Sequence, residues 1–84
     1  MTYKVYLPIA AERGEGKEKE TYVLGAYSTL EGAQHKLQSA IIEDLECNKD
    51  RGPFTRKEEA EDICFLDTHQ TEYHYTILER TLDE

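Results

Sequence analysis

One segment constrains this chain more than any other. Leu30, Ala33, Leu37, Ala40, Ile41 and Leu45 recur at three- and four-residue spacing, which places them on one stripe of an α-helix. Ser28-Thr29-Leu30-Glu31 stands directly before that stripe as a capping box. The Ser28 hydroxyl is set to accept from the Glu31 N–H, and the Glu31 carboxylate to reach back to the Ser28 N–H. Ala, Leu, Gln, Lys and Glu fill the segment as far as about Glu46, and these are good helix formers. A helix with one apolar stripe has to bury it, so the rest of the chain must supply a surface.

The flanking segments read as strands. Tyr3, Val5, Leu7 and Ile9 fall on one face with Lys4 and Tyr6 on the other, the period of a half-buried strand. Pro8 lacks an N–H, so the spacing predicts that this strand frays there or lies at a sheet edge. Residues 11–20 are charged and carry Gly14 and Gly16, and they read as a mobile hairpin loop. A second strand is expected over residues 20–27. Beyond the helix, residues 48–53 form a break, and Thr55-Arg56-Lys57-Glu58 repeats the capping-box pattern. That pattern predicts a short second helix to about residue 61. Residues 63–66 read as a short apolar strand, His69-Gln70-Thr71 as a turn, and residues 72–81 as a strand rich in β-formers. The order predicts an α+β fold occupying residues 1–84 as a single domain. Its antiparallel sheet has about four strands (ββαββ), with one long helix across one face.

Charge narrows the partners. Eighteen acids against ten bases give a net charge of −8. That balance disfavours a nucleic-acid backbone or an anionic membrane surface and favours a basic partner. No apolar run approaches the roughly 20 residues needed to span a bilayer. The first residues carry no signal-peptide pattern, so a cytoplasmic protein is expected. The two cysteines, Cys47 and Cys64, fit a reducing compartment, although spacing alone leaves their separation in space open.

The junction Gly25-Ala26-Tyr27-Ser28-Thr29-Leu30-Glu31-Gly32-Ala33 resembles a pattern in small bacterial and phage β-β-α-β-β proteins. In those, a strand ending Gly-x-Tyr-Ser runs into a helix beginning x-x-Glu-x-Ala. The similarity covers about nine residues, and Gly32 departs from the Lys or Glu usual at its position. The resemblance implies a bacterial or phage accessory protein and brings no catalytic residues.

Several residues invite a chemical reading. Asp67, His69 and His74 lie close in sequence across an expected hairpin, and carboxylate with imidazole suits a zinc-like ion. A closed site needs about four ligands, however, and no spaced metal motif is present. Gly14-x-Gly16-Lys17 lacks the rest of a phosphate loop and is ringed by Glu12, Glu15, Glu18 and Glu20. Cys47 sits among Glu43, Asp44 and Glu46, where negative potential disfavours a thiolate, and Cys64 between Ile63 and Phe65 reads as core. No cofactor and no enzymatic activity are expected.

The acids stand out more. Glu43, Asp44 and Glu46 crowd the last turn of the helix, where the macrodipole prefers cations. Glu58, Glu59, Glu61 and Asp62 form a second cluster. The expectation is a non-catalytic interaction module that presents these seven acids to a basic protein surface, with tyrosines as anchors and an inhibitor as one version. The alternatives are a module that self-associates as a homodimer through its sheet, and a small metal- or ligand-binding domain.

Overall fold

The computed structural model of the protein describes residues 2–14, 16, 18–59 and 62–83, with Glu58 and Glu59 as backbone. It is an α+β fold with strands β1 (Thr2–Arg13), β2 (Glu20–Val23), β3 (Thr55–Glu59), β4 (Asp62–Leu66) and β5 (Glu72–Asp83), and one long helix, α1 (Leu30–Cys47). The five strands form one antiparallel sheet in the order β2-β1-β5-β4-β3. The first and last strands pair along their whole length, from Thr2↔Asp83 to Arg13↔Glu72.

Pro8 does not put β1 at an edge, nor end it. β1 lies between β2 and β5 and continues to Arg13. The Pro8 carbonyl accepts from the Leu24 N–H at 2.8 Å, so both backbone groups of Pro8 point toward the β2 side. There the β1–β2 ladder has just ended at Ile9↔Val23. Beyond the Pro8–Leu24 bond, Tyr6 and Tyr27 exchange backbone bonds of 2.8 and 2.9 Å. The missing donor faces the β2 side, so no bond of the β1–β5 ladder is lost. The strand therefore takes residues 11–13 from the segment read as loop, and β2 ends earlier than expected.

The helix begins one residue later than the capping box predicts. Thr29, with extended φ −126° and ψ 149°, is the N-cap, and its hydroxyl accepts from the Gly32 N–H at 3.1 Å. Tyr27 is held in its bridge to Tyr6, so Ser28 is used in the bend and cannot cap. A Cβ on Gly32 would stand 3.2 Å from Tyr27 Cδ1 and 3.1 Å from Thr29 Oγ1. Glycine lets the first helical turn close against the tyrosine ring. At the other end Asn48 caps α1, its side-chain amide donating to the Asp44 carbonyl at 2.8 Å.

The segment expected as a second helix is instead β3, paired with β4 from Thr55↔Leu66 to Glu59↔Asp62. The four-residue capping pattern is easily met by chance. Arg56, Lys57, Glu58 and Glu59 offer no apolar stripe to fold a helix onto. Their charge instead suits an edge strand that must resist further pairing. A 3-10 turn, Lys49–Arg51, occupies the break after α1.

The core lies between α1 and one face of the sheet. Ala10, Leu37, Tyr73 and Tyr75 form its centre, with Leu24, Ile41, Phe54, Ile63, Phe65 and Ile77 packed against it. Ala33 is fully buried, and Ala40, Ile41 and Leu45 are half-buried, so the helical stripe lies as expected. Leu30 at its start stays 44% exposed. Phe54 meets Tyr73 edge-on, with ring centroids 5.8 Å apart. Among the described residues, α1, the 3-10 turn with Phe54, and Leu24 all pack on this one side.

Candidate functional site

The register of β1 against β5 decides what the other side of the sheet presents. Pro8 pairs with Ile77 and Ala10 with Tyr75 on the helix side. Alternation then turns Val5, Leu7, Ile9 and Ala11 away from the helix, next to Arg80, Leu78, Thr76 and His74. Tyr3 and Leu82 extend this row, Val23 joins beside Ile9, and Cys64 beside His74. The Tyr3–Ile9 stripe of the first strand is therefore not the one α1 covers. Val23 is 62% exposed, Leu82 52% and Tyr3 44%, Val5, Leu7, Ile9 and Leu78 are half-buried, and Ala11 and Cys64 at the far end are buried. No described element outside the sheet lies over this row.

Arg80 stands within the row, opposite Val5 and between Leu78 and Leu82, toward the Tyr3 end. At the opposite end Lys57 Nζ lies 3.7 Å from Glu72 Oε1, and His74 Nε2 lies 3.5 Å from Glu72 Oε2 and 3.9 Å from Cys64 Sγ. The same ring nitrogen faces both the thiol and the carboxylate. A relay would need the two imidazole nitrogens divided between them, and Cys64 is fully buried. Cys47 is exposed at the end of α1, and both cysteines are free thiols.

The candidate metal residues do not converge. Asp67 is buried at the β4–β5 turn, where Oδ2 accepts from Arg51 Nε at 2.7 Å and from the Tyr73 hydroxyl at 3.0 Å. Its Oδ1 accepts from the backbone N–H groups of His69 and Thr71 at 2.8 and 2.9 Å. Burial pushes this carboxyl up, but Arg51, the two amides and Tyr73 outweigh it and hold its pKa at about 2 against 3.8. Burial and the bond to Asp67 push the Tyr73 hydroxyl up to about 12. Asp67 is thus the polar tie of the turn. Strand alternation brings Tyr73 to it and sends His74 to the opposite face, while His69 is exposed. Among the described residues no set of three or more His, Cys, Asp or Glu side chains is grouped to hold a metal ion.

The acidic residues divide among different duties. Asp44 Oδ2 accepts from the Tyr75 hydroxyl at 2.8 Å. Burial, followed by this bond, raises the tyrosine's pKa. Glu46 meets Lys49 at 3.5 Å on the surface, Glu43 is exposed on α1, and Asp62 is exposed at the start of β4. Glu58 and Glu59 lie on edge strand β3, and Glu61 lies outside the described residues. Among the tyrosines, Tyr73 and Tyr75 are core, whereas Tyr3 is 44% and Tyr22 51% exposed, and Tyr22 donates to Glu20 at 2.6 Å.

A shallow groove of about 910 Å³ runs between α1 and the sheet, lined by Leu30, Gln34, Gln38, Ile41, Ile63 and Ile77 among others. It opens where β4 leaves β5 after Ile63↔Tyr75. Of its titratable side chains, Glu31 and His35 lie on α1 and Tyr75 is bonded to Asp44.

No helix among the described residues is long and apolar enough to cross a membrane. Comparison with protein-family models, curated proteins and solved structures found no match to this chain.

Proposed function

We propose that the chain is a non-catalytic protein-interaction module whose contact surface is the sheet face turned away from α1. The observation that supports this reading is the row Val5, Leu7, Ile9, Leu78 and Leu82, an aliphatic strip running across the neighbouring strands β1 and β5 with no described element outside the sheet over it. Contiguous apolar surface of this kind on a small domain marks an interaction site. Its aliphatic side chains surround Arg80, and arginine set among apolar residues is a common feature of protein interfaces.

A second reading places the contact on the acids of α1. Glu43 and Glu46 are exposed in a last turn that carries no basic residue, an arrangement that would attract a basic protein surface. Asp44 contributes less, because its carboxylate is engaged by Tyr75.

One experiment separates the two. The wild-type chain, a Leu7→Lys/Leu78→Lys variant and a Glu43→Lys/Glu46→Lys variant are each immobilised and offered host lysate together with free copies of the chain itself. Binding lost in the sheet variant and kept in the charge variant is the expected result. The opposite pattern transfers the contact to the acidic helix end.

A further inference from the structure

We infer that the occupant of the open sheet face is a second copy of this chain, packed sheet to sheet about a two-fold axis; this rests on the reading of that face as the contact surface.

The area is the first argument. A compact monomer of 9.7 kDa should expose about 5,100 Å². This chain exposes 6104 Å², an excess of about 1,000 Å². A stable interface removes about 800 Å² from each partner. The shape agrees: the radius of gyration is 14.1 Å, against about 12 Å for a compact chain of this length. An excess of this size is what an interface between two copies would remove.

Charge is the second argument. A net charge of −8 would oppose most self-contacts, but not this one. The acidic turn of α1 lies behind the sheet, on the side away from the strip. Sheets pack about 10 Å apart and each helix layer adds about as much again, so the acidic helices of two copies would stand roughly 30 Å apart. That is several times the Debye length of about 8 Å at physiological salt. The charge set within the strip is Arg80, between Leu78 and Leu82; the side chains of Val5, Leu7, Ile9 and Leu78 around it are aliphatic. Leucine against leucine satisfies the self-complementarity that a two-fold contact demands. Strands of the two sheets would cross at about 30°, as in aligned sheet packing.

The test is light scattering after gel filtration over a wide range of concentration. The expected result is a concentration-dependent species of twice 9.7 kDa. Leu7→Lys should raise its dissociation constant at least about a hundredfold, since the substitution enters the interface from both copies. Leu7 is half-buried, so Val23→Lys and Leu82→Lys are run beside it. Those side chains are already 62% and 52% exposed, and losing them leaves the fold intact by far-UV circular dichroism. Ile42→Lys, on the outer side of α1 at 69% exposure, should leave the dimer unchanged.

A monomer at every concentration overturns the inference. If the sheet variants then abolish capture of a foreign protein, the reading of the face as a contact surface stands without it. A dimer that survives all three face variants also overturns the inference, because its contact lies elsewhere.

Discussion

The two faces of the sheet are both apolar, and they are apolar in different ways. The covered face is built from tyrosines and small residues whose polar atoms are tied down: Tyr75 to Asp44, Tyr73 to Asp67, with Ala10 leaving room for Leu37. The open face is aliphatic, its row of Val5, Leu7, Ile9 and Leu78 carrying no side-chain hydroxyl. Tethered aromatics fix the angle and register of a helix, because each hydroxyl has one place to go. An aliphatic strip has no hydroxyl to set such a geometry. The covered face therefore ties the helix to the sheet, and no described element is tied to the open one.

The largest effect should come from the tie at the end of the covered face. Asp67→Ala leaves Arg51, two backbone amides and the Tyr73 hydroxyl without their acceptor, and should cost about 3–4 kcal/mol. Urea titration of the variant against wild type measures it. The same carboxyl sets an acid limit. It titrates at about 2 when folded and at 3.8 when unfolded, so the unfolded chain takes up its proton first as pH falls. Its contribution is whole above the unfolded value and disappears as pH drops through the folded one. In Asp67→Ala the slope of stability against pH in that window should flatten.

Next is Leu37→Ala, expected to cost about 3 kcal/mol by opening a cavity between α1 and the sheet. Its effect on self-association should be small, because it stands on the other side. If it weakens association as much as it weakens folding, the two faces are coupled and the comparison fails.

Capping gives a smaller and sharper contrast. Thr29→Ala should lose about 1 kcal/mol and Ser28→Ala less than about 0.5. Equal losses in thermal melts would restore the capping box to Ser28.

The smallest effect is expected on the open face. Val23→Thr keeps a β-branched side chain at an exposed strand position and should change the stability of the dilute chain by no more than about 0.5 kcal/mol. A cost rivalling that of Leu37→Ala would mean that the open face holds the monomer together after all.

The long helix was legible because its signals are local: a stripe at helical spacing and an oxygen-bearing residue before it. Four of the five strands were legible from local pattern too: alternation in β1 and β2, a short apolar run in β4 and β-formers in β5. The exception, β3, consists of Thr55, charged residues and a chance capping pattern, and its strand character comes from the partner β4. The acids of α1 were visible as a cluster, but the bond that engages Asp44 runs to Tyr75, thirty-one residues away in the chain. Asp67 reads from the sequence only as a candidate metal ligand with His69 and His74, whereas in the fold its carboxylate is taken up by Arg51, Tyr73 and two backbone amides. Only the folded turn shows Arg51 and Tyr73 reaching it.

The sequence by itself determined which residues of each strand share a side and that one helix needs a surface to lie on. It could not determine which side. The stripe of Val5, Leu7 and Ile9 on the first strand and the stripe of Tyr73, Tyr75 and Ile77 on the last fall on opposite faces only because Pro8 pairs with Ile77 and Leu7 with Leu78. That register joins the two ends of the chain. A shift of one residue would exchange the faces, and no local pattern records the alignment of segments so far apart.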